Sequence, residues 1–279
     1  MPLAVCATPI GNLEDVTLRV LTELREADVV LCEDTRRTRI LLDRHGIRAH
    51  ALASYHRHNE ASRVAELVPR LRGGARIALV SDAGVPGVND PGARLVAAAL
   101  GAGVAVTVLP GASAVETALV ASGLVGEQYR FVGYLPRRPS ERQALWAEIR
   151  DWPHPTVAFE APGRLRASLA SLAAVAPERP VAVCRELTKL HEEVVRGSAA
   201  DVAAAFGEDP RGEITLVVGG AAVAVGGDER ALADAVEAVG RLVAAGASRR
   251  VAVDVVADLA DVRRHALYDA SLASAGSGS

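Results

Sequence analysis

Short apolar runs recur along this chain, and each is followed by a longer stretch whose apolar positions fall three or four apart. "LAVCAT" leads to a helical pattern near 16–27, "VVLCED" to one near 36–44, "AHALAS" to one near 59–72 and "RIALVSD" to one near 91–101, before "VAVTVLPG" closes the series. In the third helical stretch Val64, Leu67, Val68 and Leu71 share one face, and Arg63, Glu66 and Arg70 lie off it. Runs of four to six apolar residues read as buried strands and the 3–4 spacing as amphipathic helices. Strict alternation of the two predicts a mainly parallel sheet covered by helices on both faces.

A second round follows "ASGLVGEQ": "YRFVGYLP", a helix about 140–150, "TVAFEAP", a helix about 163–174, "PVAVCREL", "EEVVRGS", a short helix 199–206 and "GEITLVVGG". The strand signals at 181–187 and 193–197 are separated by only a turn, so this second sheet should be mixed. The connection at 114–126 reads as a boundary, giving domains at 1–120 and 121–222. Residues 223–279 read as a Gly/Ala linker, three helices near 228–244, 248–260 and 261–271, and a frayed "ASAGSGS" tail.

Composition changes this picture little. With 279 residues, half of them hydrophobic, the chain can build about two ordinary cores. No apolar run approaches the roughly 18–20 residues of a membrane span, and no basic stretch with a signal-like apolar core opens the chain, so a cytoplasmic location is expected. Cys6, Cys32 and Cys184 each sit in an apolar run, which marks them as small core residues rather than disulfide partners or metal ligands. A formal charge of −3 gives no global nucleic-acid signature. Lys189 is the sole lysine, so positive charge is almost entirely arginine, which suits bidentate phosphate contacts.

Candidate chemistry lies at the strand ends, outside which parallel sheets bind ligands. "TPIGN" (8–12), "EDTRRTR" (33–39), "SDAGVPGVNDPG" (81–92) and "PGASA" (110–114) are all dense in turn formers. Any one of them could be a simple turn. Four together, one holding Gly84, Pro86, Gly87, Pro91 and Gly92, predict backbone laid close against a ligand. No dinucleotide fingerprint, phosphate-binding P-loop, zinc-protease helix or nucleophile elbow is present. His56 and His58 stand two apart, but a third metal ligand is not evident, and Asn59 suits the start of a helix.

"TPIGNLEDVTLRVLTELREADVVLCEDTRRTRILL", "ALVSDAGVPGVNDPG", "LPGASA", "RELTKLHEEVVRG" and "GEITLVV" resemble the tetrapyrrole-methylase superfamily of S-adenosylmethionine (SAM)-dependent methyltransferases. Within it they are most similar to the branch that 2′-O-methylates a cytidine of bacterial 16S ribosomal RNA. The likeness runs in order over residues 3–220, and "ALYDASL" at 266–272 resembles that branch's terminal extension. It departs at Val85, where the family usually has Thr, and at Gly163, where it usually has a larger side chain. The resemblance implies two α/β domains with SAM in the cleft between them, and a homodimer. It implies that Pro9 and Gly11 line the cleft, that Asp82, Ala83 and Gly84 contact the cofactor, and that Ser113 and Ala114 touch its other side. Leu187 and the strand Glu213–Thr215 would close over it from the second domain.

On the acceptor side a ribose hydroxyl gains from a general base, for which Glu33, Asp34, Asp82, His56 and His58 are candidates. Arg36, Arg37 and Arg39 can pair with RNA phosphates or with Glu33 and Asp34 themselves. Arg137 and Arg138, in "LPRRPSER", form a second basic loop that could meet RNA, as could His56; that loop reads equally as a solvated turn. Arg249, Arg250, Arg263 and Arg264 in the terminal helices could contact RNA or serve dimer packing. The expected partner is 16S rRNA, free or within the 30S subunit. Two alternatives stay open: methylation of a tetrapyrrole carbon, disfavoured because a porphinoid wants an aromatic trough and the chain is 3% aromatic, and a non-catalytic SAM- or RNA-binding factor.

Overall fold

The computed structural model describes residues 2–207, 210–221, 225–260 and 262–276. Two compact units divide it, one from Met1 to Ala221 and one from Ala222 to Ser279.

In the first unit, β1 (Leu3–Cys6), α1 (Leu18–Glu26), β2 (Val29–Cys32), α2 (Thr35–Arg44), β3 (Leu52–Ser54), α3 (Glu60–Arg72), β4 (Ile77–Leu79), α4 (Ala93–Gly101) and β5 (Val106–Leu109) alternate as the pattern predicts. The five strands pair in parallel in the order β3-β2-β4-β1-β5. Both faces are covered. Ala4, Cys6, Val30, Cys32 and Ala78 face Val20 and Leu24 of α1 and Leu41 and Leu42 of α2. Their neighbours Leu3, Val5, Leu31, Ile77 and Leu79 face Leu67 and Leu71 of α3 and Leu95 and Ala99 of α4. This explains why the strands are continuously apolar rather than alternating. Cys6, Cys32 and Cys184 are free and buried. Burial pushes the Cys6 thiol up to about 12, with the charge of Glu23 adding to the effect.

The stretch 114–126, read as a boundary, begins with a further helix, α5 (Ala114–Ser122), so residue 120 lies inside an element. Its buried positions Val115, Ala118, Leu119 and Ser122 keep helical spacing. Three of them pack against Val157, Ala182 and Val217 of a second sheet. That sheet is built from β6 (Arg130–Tyr134), β7 (Thr156–Glu160), β8 (Pro180–Arg185), β9 (Glu193–Ser198) and β10 (Ile214–Val218). Its order is β6-β7-β10-β8-β9, with β6 and β7 parallel and the remaining pairs antiparallel, the mixed sheet expected. The face away from α5 buries Ala158, Val183 and Leu216 against α6 (Pro139–Arg150), α7 (Leu165–Val175) and α8 (Ala199–Ala205).

The second unit contains α9 (Val225–Ala244), α10 (Arg249–Ala260) and α11 (Arg264–Gly276), packed through Ala235, Val239, Val253, Val256 and Leu267. The expected linker positions 222–224 and tail end 277–279 lie outside the described residues. None of the described helices is long and apolar enough to cross a membrane.

Candidate active site

The strand ends of the two sheets converge on a cavity of about 1040 Å³, at the upper end of the roughly 300–1,000 Å³ typical of small-molecule sites. Its first wall is shaped by exchange between loops. Thr8 N–H donates to Gly84 O at 2.9 Å and Gly84 N–H to Thr8 O at 3.0 Å, while the Thr8 hydroxyl donates to Ser81 O at 3.1 Å. Gly84 turns there with φ +76°, a left-handed conformation that favours glycine. Gly111 lies so close to β1 that a Cβ would come within 2.9 Å of Ala7 Cβ. Tight turns of this kind leave backbone rather than side chains lining the cavity at Ala83–Gly84 and Gly111–Ala112.

Carboxylates dominate the lining. Glu33, Asp82, Asp90, Glu116, Glu160 and Glu213 contribute to it, against Arg37 as the single cationic residue among the described ones. Asp82 Oδ1 accepts the N–H of Asp34 at 3.0 Å, and its Oδ2 pairs with Arg37 Nη1 at 3.3 Å. Arg37 Nη2 reaches Glu213 Oε1 at 3.9 Å. Glu213 Oε2 is in turn held by Lys189 Nζ at 3.1 Å, which also binds Glu186 Oε1 at 2.8 Å. A chain of charge thus ties the two sheets together at the cavity edge. Glu116 accepts from the Ser113 hydroxyl and, at 2.7 Å, from Tyr129 OH. Glu160 is buried and engaged by Arg164, by Ser168 Oγ at 2.5 Å and by Ala161 N–H at 2.6 Å. Among the described residues no donor reaches the carboxyls of Glu33 or Asp90. Burial raises the Glu33 pKa, and the charge of Asp82 raises it further. Asp90 is pushed up to about 6 by burial and then by the charges of Glu33 and Asp82.

Of the residues singled out from sequence, Glu33, Asp82, Ala83, Gly84, Ser113, Ala114, Glu213, Thr215 and Arg37 all line this cavity. Others do not. Asp34 caps α2, its Oδ1 accepting Arg36 N–H at 2.8 Å, and its carboxylate pairs with the Arg36 guanidinium at 3.1 Å. Those contacts with Arg36 hold its carboxyl below the usual range. A cap satisfies an otherwise orphaned helix donor, which accounts for the residue without chemistry. Pro9 lines an adjoining 40 Å³ hollow with Thr8, Thr38 and Leu41, which shares Arg37 and Asp82 with the cavity. Gly11 faces away from the cavity lining: a Cβ on it would come within 2.7 Å of Lys189 Cγ, Thr188 Oγ1 and Leu187 O. Leu187 is buried in the core beneath α5.

Arg36 and Arg138 are exposed but paired, the latter with Glu141 at 3.0 Å. Arg39 and Arg137 are exposed and make no ion pair among the described residues. His56 and His58 meet edge-to-face with centroids 5.9 Å apart. The His56 N–H donates to Asn59 Oδ1 at 2.8 Å, and Asn59 Nδ2 donates to Ser54 O at 3.2 Å, so the "SYHRHNE" stretch is a hydrogen-bonded helix lead-in. Among the described residues no group of three His, Cys, Asp or Glu is placed to hold a metal ion. Gly163 is exposed, with open space where a side chain would stand, and Val85 lines the cavity.

Two features went unread in the sequence. Asp90 lay in the quoted "NDPG" turn, and its position next to Glu33 needs the β2–β4 pairing to appear. Tyr129, Phe131, Tyr134 and Phe159, four of the chain's nine aromatic residues, also line the cavity, so a low aromatic content overall does not mean an aromatic-poor site.

The tetrapyrrole (corrin/porphyrin) methylase family model matches residues 2–203. The chain belongs to this family. A protein of Micromonospora olivasterospora named ribosomal RNA small subunit methyltransferase I is 45% identical over 269 residues, 96% of this chain and 85% of that one. Proteins of the same name are 44% identical in Mycobacterium bovis (98% and 95% covered) and 39% identical in Streptococcus pyogenes serotype M1 (95% and 93%). Among solved structures, the methyltransferase CobJ is similar with a TM-score of 0.60 at 21% identity, over 79% of this chain and 94% of that one. The uroporphyrin-III C-methyltransferase of Thermus thermophilus, complexed with S-adenosyl homocysteine, has a TM-score of 0.54 at 22% identity, over 78% and 96%. The methylase family's architecture is therefore shared across very different acceptors, and the fold alone does not choose among them.

Proposed function

We propose that this chain transfers a methyl group from SAM to the 2′-oxygen of a cytidine ribose in 16S ribosomal RNA, in the decoding-centre region and within the assembled 30S subunit. The observation that carries the reading is the near-full-length likeness to proteins named ribosomal RNA small subunit methyltransferase I. The cavity supports it: six carboxylates against one guanidinium favour a cationic ligand, and the exposed backbone of the strand-end turns suits close contact. SAM fits that donor set, and when bound it supplies an electrophilic methyl on a sulfonium.

Asp82, Ala83, Gly84, Ser113, Ala114, Glu213 and Thr215 would hold it, with Pro9, Gly11 and Leu187 shaping the wall from behind. The acids Glu33 and Asp82 set the local charge, and Asp90, with a free carboxyl, takes the 2′-hydroxyl proton. Asp34 serves this chemistry by fixing the start of α2. Arg39 and Arg137 offer unpaired charge to RNA phosphates, and Arg36, Arg37 and Arg138 can exchange their carboxylate partners for phosphate; His56 would join them as an RNA contact. A cytoplasmic homodimer belongs to the same reading, and light scattering in solution tests the dimer.

The direct test offers methyl-labelled SAM with three acceptors: 30S subunits lacking the modification, naked 16S rRNA and a porphinoid precursor. Label on 30S supports the proposal. Label on the porphinoid alone replaces it with carbon methylation, and SAM binding without transfer to any acceptor replaces it with a binding factor.

A further inference from the structure

The aromatic wall of the cavity has a construction that packing alone does not require. In a regular strand Phe131 and Tyr134 would point to opposite faces. In β6 the register shifts between them: Phe131 pairs with Val157 and Tyr134 with Phe159, so three steps along β6 match two along β7. This bulge returns Tyr134 to the face of Phe131. Phe131 and Phe159 meet edge-to-face at 4.9 Å, and Tyr134 leans on Phe159 at 5.6 Å, also edge-to-face. The two phenylalanines are half-buried, whereas Tyr134 is 60% exposed. A ring braced from behind and bare in front is a flat, immobilised surface facing the cavity.

The bulge also meets the loop that carries Asp90. Gly133 adopts φ +72°, and a Cβ there would come within 3.0 Å of Asn89 Oδ1. Asn89 itself is left-handed at φ +66° and immediately precedes Asp90. Gly133 and Asn89 thus meet in opposition, and the residues that follow them, Tyr134 and Asp90, line the same cavity. Burial raises the Tyr134 pKa, with the charges of Glu213 and Asp90 next in size.

Resting on the proposed reading of this site, we infer that Tyr134 is the stacking platform for the acceptor nucleobase and holds its ribose beside Asp90. A nucleotide taken out of its RNA stack loses base stacking, and an aromatic face restores it whatever the base. Phe131 and Phe159 are half-buried and Tyr129 is tied to Glu116, so among the aromatic residues of the lining Tyr134 offers the most exposed ring to a base's π-face.

The test compares wild type with Tyr134→Phe, Tyr134→Trp and Tyr134→Leu as full chains, measuring melting temperature, SAM affinity, and kcat and KM for unmodified 30S subunits. Leucine keeps apolar bulk but removes the flat face. The expected result is that Phe and Trp stay within about threefold of wild type, while Leu raises KM for 30S roughly tenfold or more at unchanged SAM affinity and melting temperature. Leu performing like Phe overturns the inference, as does Phe losing as much as Leu, since the hydroxyl would then be what matters. A loss of SAM affinity in Leu parallel to its loss of activity also overturns it, by assigning the ring to the cofactor's adenine. If wild type binds SAM but methylates no RNA, the reading of the site has failed, and the inference with it.

Discussion

Asp90 stands near Glu33 and Asp82 with its own pKa pushed up to about 6, and both catalysis and stability should register that. A proton acceptor works only when ionised, so methyl transfer should rise with pH through about 6 and level off above it. Asp90→Asn should flatten this profile and lower kcat by roughly 10²-fold; an unchanged profile removes Asp90 from the mechanism. Stability should move the other way. The folded state holds the Asp90 proton more tightly than the unfolded chain, so this stabilising contribution is full below the ordinary value of 3.8 and is lost as pH rises through about 6. Asp90→Asn should therefore raise the melting temperature at pH 7.5 and leave it little changed at pH 3.5. Asp34 is a contrasting case. As a helix cap it should tolerate Asn, which also accepts at that position, while Asp34→Ala should lower the midpoint of chemical denaturation. A large fall in transfer for a stable Asp34→Asn would restore it to the chemistry. Asp34 and Asp82 were both legible as polar residues at strand ends. Which one lines the cavity was not, because a single hydrogen bond, Asp34 N–H to Asp82 Oδ1, sets their relation across 48 residues of chain.

At the scale of elements, the strands and most helices could be read because their apolar residues sit on two covered faces of a sheet, a pattern local sequence records directly. Helix α5 escaped because its exposed position 120 carries a valine and small alanines fill three others, which hides the periodicity of its buried face. The β6 bulge escaped because register depends on the partner strand. The loop after β1 shows the same dependence: "TPIGN" reads as a ligand turn, yet Gly11 is where the chain meets Leu187–Lys189 of the second sheet's loop. Asn12 N–H donates to Thr188 Oγ1 at 2.9 Å beside it. Gly11→Ala should force these loops apart, costing about 1–3 kcal/mol of stability and weakening SAM binding, as calorimetry would show. Wild-type stability and affinity would mean that the two loops separate freely.

For the whole molecule, a net charge of −3 and a strongly acidic cavity have to coexist with an RNA acceptor. Attraction must then be local, from exposed arginines such as Arg39 and Arg137, and Arg39→Ala with Arg137→Ala should raise KM for 30S and flatten its salt dependence without changing SAM affinity. Among the described residues, four apolar clusters lie wholly within residues 1–221 and a fifth wholly within the second unit. A chain ending at Ala221 should therefore unfold cooperatively and still bind SAM, as circular dichroism and calorimetry would show. The proposed activity is defined, however, by the atom that receives the methyl group. Unmodified 30S subunits treated with the enzyme and methyl-labelled SAM, then digested to nucleosides and resolved by mass spectrometry, should yield label as 2′-O-methylcytidine. Label on a base carbon or nitrogen, or none on RNA while a porphinoid is methylated, would contradict it.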